Sequence, residues 1–343
     1  MSKPCAAAGR AFLLAVLAVL AAACDRAPDP RAADAERVLP DSGPLAAATV
    51  KRLLLLDAAR VGSRVVAVGD RGYIVVSDDD GASWKRAAAP AAPLLTAVDF
   101  VDAKDGWAVG HDTTILATRD GGDTWTRQFS APAEQRPLLD VLFLDAAKGI
   151  AVGAYGAYYE TADGGKSWNA RKIIPEDRHF NAIVKVADHR LLIVGEEGTI
   201  LISSDDGGHW TKVPSPYKGS LFGAVVASDG AVVAFGLRGR IYRSTDGGQA
   251  WTQVDDATAA TLMGGSRLPD GTLVLAGSAG TALVSRDNGA SFVPLATGTT
   301  RAWSKAVLGA PNTTMVLGEA GALEVPLARA PDRSIRGQAQ RAK

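Results

Sequence analysis

An eight-residue pattern recurs six times along the chain: SDDDGASW (Ser77 to Trp84), TRDGGDTW (Thr118 to Trp125), TADGGKSW (Thr161 to Trp168), SSDDGGHW (Ser203 to Trp210), STDGGQAW (Ser244 to Trp251) and SRDNGASF (Ser285 to Phe292). The closing aromatics are spaced by 41, 43, 42, 41 and 41 residues. A Gly stands eight residues before each octet, at Gly69, Gly110, Gly153, Gly195, Gly236 and Gly277. A seventh, Gly318, arrives 41 residues after the sixth with no intact octet behind it. A fixed period of this length marks one supersecondary unit repeated in space, so the chain holds seven repeats, the last degenerate.

Each repeat has the same internal grammar, clearest in LTAVDF (Leu95 to Phe100), GWAVG (Gly106 to Gly110) and TILATRDGGDTW (Thr114 to Trp125). Short apolar or alternating runs separated by Gly and Asp turns read as strands. Three such runs and a fourth starting at the aromatic make a four-stranded antiparallel meander, the size of one propeller blade. The expected fold is therefore all-β, a seven-bladed β-propeller over residues 47–328, because closing the ring hides the two sheet edges an open array would expose. The Gly318 repeat runs out before a fourth strand, so the segment near residues 44 to 50 is expected to supply the outer strand of the last blade. Within each octet the third-position Asp (Asp79, Asp120, Asp163, Asp205, Asp246 and Asp287) is expected to accept hydrogen bonds from amides of its own turn. The fifth-position Gly permits a left-handed backbone, and the closing aromatic buries its face between strands. Identical carboxylates in six separate blades cannot all serve one catalytic centre, so these residues read as fold-forming.

Outside the repeats, Lys3 and Arg10 precede an apolar run from Ala11 to Ala23 that is too short to span a bilayer comfortably. It ends in Leu20-Ala21-Ala22-Ala23-Cys24, which resembles a bacterial lipobox, with Ala21 where a large aliphatic residue is usual. Residues 1–23 then form a signal peptide and Cys24 is the lipidation site. Asp25 resembles the signal that retains enteric lipoproteins in the inner membrane, so the expected location is the periplasmic face of that membrane. Residues 24–46, rich in Pro, Ala and charges, read as a solvated tether, and 329–343 as a disordered basic tail.

The only cysteines are Cys5 and Cys24, which excludes a disulfide, a thiol nucleophile or a cysteine-ligated metal within the repeats. The four histidines show no metal-ligand spacing, and no cofactor or metal is expected. Lys and Arg total 37, equal to Asp and Glu, so the chain has no overall basic field to draw it to nucleic acid.

The octets are Asp-box (BNR) repeats. One box per blade in a single propeller resembles the photosystem II stability and assembly factor family, including its relatives in non-photosynthetic bacteria. That resemblance implies a non-enzymatic, membrane-associated monomer that holds an assembling membrane protein or membrane protein complex through its surface. The alternatives are a sialidase-like or other glycoside hydrolase, and a structural cell-envelope lipoprotein. Sialidase-like hydrolases carry an F/Y-R-I-P motif that is absent here, and of the seven Trp only Trp107 and Trp303 lie outside the octets to stack on sugar rings.

If the octets occupy one rim of the ring, the blade-to-blade connections and the turns after each second strand share the other. Arg136, Arg178, Lys218 and Arg301 precede inner strands on that face, and Arg71 and Arg238 lie in the second turns. These six are the candidate protein-binding residues, a partly basic ring around the channel mouth offset by Glu134, Glu176, Asp177, Glu196 and Glu197.

Overall fold

The computed structural model describes residues 38–39, 43–90, 92–255 and 257–327. Cys24, Asp25, the leader, most of the tether and the basic tail lie outside the described residues.

The repeats fold as seven antiparallel sheets around a central channel. We label strands A to D from the channel outward. Blade 2 is typical, with A Leu95–Phe100, B Gly106–Gly110, C Thr114–Thr118 and D Thr126–Phe129. Strands B and C are buried along their full length because neighbouring blades cover both of their faces, which is why they read as continuous apolar runs. Strand D stands at the rim, so its side chains are half-buried or exposed. Trp107 is fully buried, its ring stacked on Phe143 of blade 3 with centroids 3.4 Å apart. Trp303 is equally buried, so both spare tryptophans belong to the interior.

The glycine that ends each strand B is required by space. A Cβ on Gly110 would lie 2.1 Å from the carbonyl oxygen of Leu94, and one on Gly153 would lie 2.2 Å from that of Pro137. At this point the chain entering strand A crosses directly over the end of strand B.

Blades 2 to 6 have four strands, as the repeat length predicts. The two ends of the ring differ from expectation. Pro44–Leu45 does not join the last blade; it pairs with Trp84–Lys85 and becomes a fifth strand on blade 1. Ala47–Val50 forms a helical turn. Blade 7 keeps three strands, Trp303–Leu308, Thr313–Gly318 and Gly321–Pro326, among the described residues. Pro44 and Leu45 lie ten residues ahead of blade 1's first strand, and the short turn 47–50 lets them double back on that same blade. The seam between blades 7 and 1 is closed by side chains. Val50, Leu55, Ala58 and Trp84 pack with Val307, Met315 and Leu317 in one buried cluster.

Candidate functional site

The strand register sorts the loops onto two faces. Strand C ends opposite the beginning of strand B, which puts the octets beside the A-to-B hairpins, as when Gly121 N–H donates to the Lys104 carbonyl at 3.0 Å. The opposite face carries the B-to-C turns and the blade connections, as when Gly156 N–H donates to the Arg178 carbonyl at 2.8 Å.

Each octet is a closed hydrogen-bonding unit. In blade 3, Thr161 Oγ1 donates to Asp163 Oδ1 at 2.8 Å and accepts from Gly165 N–H at 2.9 Å. Asp163 Oδ1 also accepts from Ser167 N–H at 2.9 Å, and Oδ2 accepts from Ser167 Oγ at 2.7 Å. The Ser167 hydroxyl and amide together hold the Asp163 carboxyl down to about 2. Asp79, Asp120, Asp205, Asp246 and Asp287 make the equivalent turn bonds. The fifth-position glycines lie at φ between 80° and 95°, and three of the tryptophans donate Nε1–H to that glycine's carbonyl. With both carboxylate oxygens bonded inside the turn, these acids serve the fold of their own hairpin.

The other face carries the basic residues expected of it. Arg71 and Arg238 sit at the centre of three-residue 3-10 turns with a left-handed backbone, φ 54° and 59°, each followed by a glycine that is also left-handed, and their side chains stand out into solvent. Blades 2, 3 and 4 place Asp112, Tyr155 and Glu197 at the same position. Tyr155 is 53% exposed and meets the His179 ring edge to face, an aromatic contribution to this face that the spacing of charges did not reveal. Arg136, Lys218 and Arg301 are exposed in the connections ahead of blades 3, 5 and 7.

The charges offsetting them prove to be engaged. Arg178 is ion-paired with Glu197, Lys172 with Asp177 at 3.2 Å, and Lys212 with Glu176 at 3.1 Å. Glu134 accepts from the Tyr159 hydroxyl and Glu196 from His179 N–H. Arg71 has Asp70 at 3.3 Å. Arg136, Lys218, Arg238 and Arg301 form no ion pair among the described residues. Of the six predicted cations, then, Arg178 is tied into its own turn, Arg71 is partly matched, and four remain available.

Between the faces runs a channel cavity of about 430 Å³ lined by the inner strands. Three carboxylates project into it, and the sequence pattern did not single them out. Each accepts a hydrogen bond from a backbone N–H of the next blade: Asp57 from Val98 at 2.9 Å, Asp99 from Phe143 at 2.7 Å and Asp140 from Ile183 at 2.8 Å. They staple successive blades. Burial pushes Asp99 up to about 6 and Asp140 to about 7 against the pull of those amides. Burial opposes the charge on Lys305, but Asp57, with Asp140 and Asp99 behind it, outweighs burial and raises its pKa. The signal that could have identified them is their place, second or fourth after the residue that opens each strand A.

Solved structures agree on the fold. A YCF48 bound to a D1 peptide superposes with a TM-score of 0.66 at 19% identity, over 81% of this chain and 93% of that one. The GH74 xyloglucanase from Xanthomonas campestris reaches 0.65 at 14% identity, over 82% of this chain but 54% of its own. Likeness at such identities speaks for the propeller alone. In sequence, the chain is 36% identical over 83 residues to the chloroplastic photosystem II stability/assembly factor HCF136 of Cyanidioschyzon merolae, a match spanning 22% of this chain and 19% of that relative's length. Residues 76–136 and 127–291 match the family described as photosynthesis system II assembly factor YCF48. That match runs over more than half of the chain, through the first five octets and into the sixth, and by it the chain belongs to the YCF48 assembly factor family.

Proposed function

We propose that this protein is a non-enzymatic docking scaffold that holds a segment of a membrane protein during assembly of its complex, using the face of connections and B-to-C turns. The observation that carries this reading is the set of unpaired cations on that face, Arg136, Lys218, Arg238 and Arg301, beside Arg71 and Arg178 and next to neighbouring acids engaged by local partners. Unpaired exposed cations around a concave mouth attract and orient an acidic segment at little cost to the fold. The solved YCF48 complex with a D1 peptide supports a polypeptide segment as the ligand. The engagement of the octet acids in their turns and of the channel acids with neighbouring amides speaks against paired catalytic carboxylates.

Cys24 is proposed as the lipid anchor that places the propeller on the periplasmic face of the inner membrane. Intact mass of the mature protein tests this: a diacyl or triacyl adduct on an N-terminal Cys24 is expected, and an unmodified or different N-terminus rejects it. For the docking face, replacing Arg136, Arg178, Lys218 and Arg301 together with Ala is expected to weaken recovery of the membrane partner while the melting temperature holds. Recovery equal to that of wild type rejects the face.

A further inference from the structure

Every strand A slips by one residue against strand B at the same place, directly after its first residue. A β-bulge re-aims the extra side chain, and repeating it in each blade turns seven side chains into the channel at one level. The level is fixed by register: strand A begins opposite the end of strand B, so the bulges form the channel mouth on the connection face. All seven line the cavity. Thr96 and Asn181 are used by the fold, donating to the carbonyls of Leu138 at 2.7 Å and Leu221 at 2.8 Å in the following blades. Leu56, Leu139, Phe222 and Met263 are apolar, and Met263 is 41% exposed. Beside Phe222 and Met263 stand Gly223 and Gly264, where blades 1 and 3 carry Asp57 and Asp140. Phe222 and Met263 therefore have no carboxylate as the next residue on the channel wall, unlike Leu56 and Leu139.

We infer that this bulge ring is an anchor pocket for one large apolar side chain, Phe, Leu or Met, presented by an extended segment whose flanking residues are acidic. This rests on the docking reading above and specifies the chemistry of its ligand. Charge complementarity selects the occupant: the unpaired Arg136, Lys218, Arg238 and Arg301 stand exposed in the connections and turns of the same face, so a segment lying across that face into the mouth is matched by carboxylates flanking its anchor. An apolar centre within a charged rim is the usual anatomy of a protein docking site, and the desolvated anchor supplies most of the affinity.

The test uses the full chain and a capped peptide with Phe at its centre and Asp or Glu on both sides, together with two analogues, one with Ala in place of Phe and one with Asn and Gln in place of the acids. Binding is read by calorimetry. The Phe peptide is expected to bind about tenfold to a hundredfold more tightly than the Ala analogue, the increment of burying one such side chain. Phe222→Ala should remove most of that difference. Met263→Ser, at an exposed position that the fold does not need, should reduce it even if Phe222→Ala unfolds the protein. Equal binding of the Phe and Ala peptides, or an undiminished difference in the Met263→Ser protein, overturns the pocket. If the amide analogue binds as well as the acidic peptide while the Phe increment persists, the pocket stands and the basic-rim reading fails. Loss of binding in the amide analogue with no Phe increment keeps the rim and rejects the pocket, and absence of binding by all three at millimolar concentration rejects both.

Discussion

Lys305 of blade 7 places its Nζ 2.8 Å from Asp57 Oδ1 of blade 1, across the seam where the first and last repeats meet. Asp57 in turn accepts from Val98 N–H of blade 2, so one carboxylate ties three blades together. Arg60 reinforces the same seam by donating to the Leu308 carbonyl at 2.8 Å. No strand is exchanged between blades 7 and 1 among the described residues, and these contacts with the cluster around Val50 and Met315 do the closing.

Lys305→Met should therefore destabilise the ring out of proportion to its position on the channel wall. It leaves the largely buried Asp57 without its cation beside Asp99 and Asp140, at about 1–3 kcal/mol. Urea unfolding measures the loss, and a midpoint within error of wild type would remove the ion pair from the account of closure.

The N-terminal strand makes a sharper distinction. Deleting residues up to Val50 should lower the melting temperature, since Val50 is 4% exposed within the seam. Faster amide exchange should appear in Trp84–Arg86, which loses its partner Pro44–Leu45. Protection unchanged there, with Gly321–Pro326 newly exposed, would put the segment on blade 7 after all.

Channel carboxylates set a pH dependence. Asp99 at about 6 and Asp140 at about 7 hold their protons more tightly folded than unfolded, where carboxyls titrate near 4. Their contribution to stability is complete below about pH 4 and disappears as pH rises through 6 and 7. Asp163 acts in the opposite sense: held down to about 2, its contribution is present above about pH 4 and is lost as pH falls through 2. Wild type should lose stability between pH 4 and 8 relative to Asp140→Asn. Parallel stability curves for the two proteins would show that Asp140 titrates normally.

Octet and rim substitutions should separate fold from docking. Asp120→Ala removes the acceptor for Thr124 N–H and the Thr118 and Thr124 hydroxyls, which costs about 1–3 kcal/mol and reduces binding only through the fold. Arg238→Ala or Lys218→Ala should shift stability by no more than about 0.5 kcal/mol while weakening docking. Denaturation and binding measured on the same samples check both halves.

Blade count, strand positions and the two faces were legible because the octet and the strand-B glycine answer to local sterics and local hydrogen bonds. LTAVDF and GWAVG appear as strands with the boundaries read from sequence. The closure was not legible, since nothing local in Pro44–Leu45 says which of two neighbouring sheet edges it meets. The rim cations could be placed on a face, but which were free depended on contacts made only in the folded chain, as with Arg178 and Glu197. The mouth residues Phe222 and Met263 were invisible for a related reason: a one-residue bulge reverses the side on which alternation places a side chain.

The claim that this propeller docks a membrane protein through its connection face is tested most directly by photo-crosslinking in its own membranes. A photoreactive residue replaces Lys218 or Arg238 on that face, or the exposed Lys166 among the octets on the other. Adducts to a membrane protein are expected from Lys218 and Arg238 and none above background from Lys166. The same adducts from all three positions, or from Lys166 alone, would contradict it.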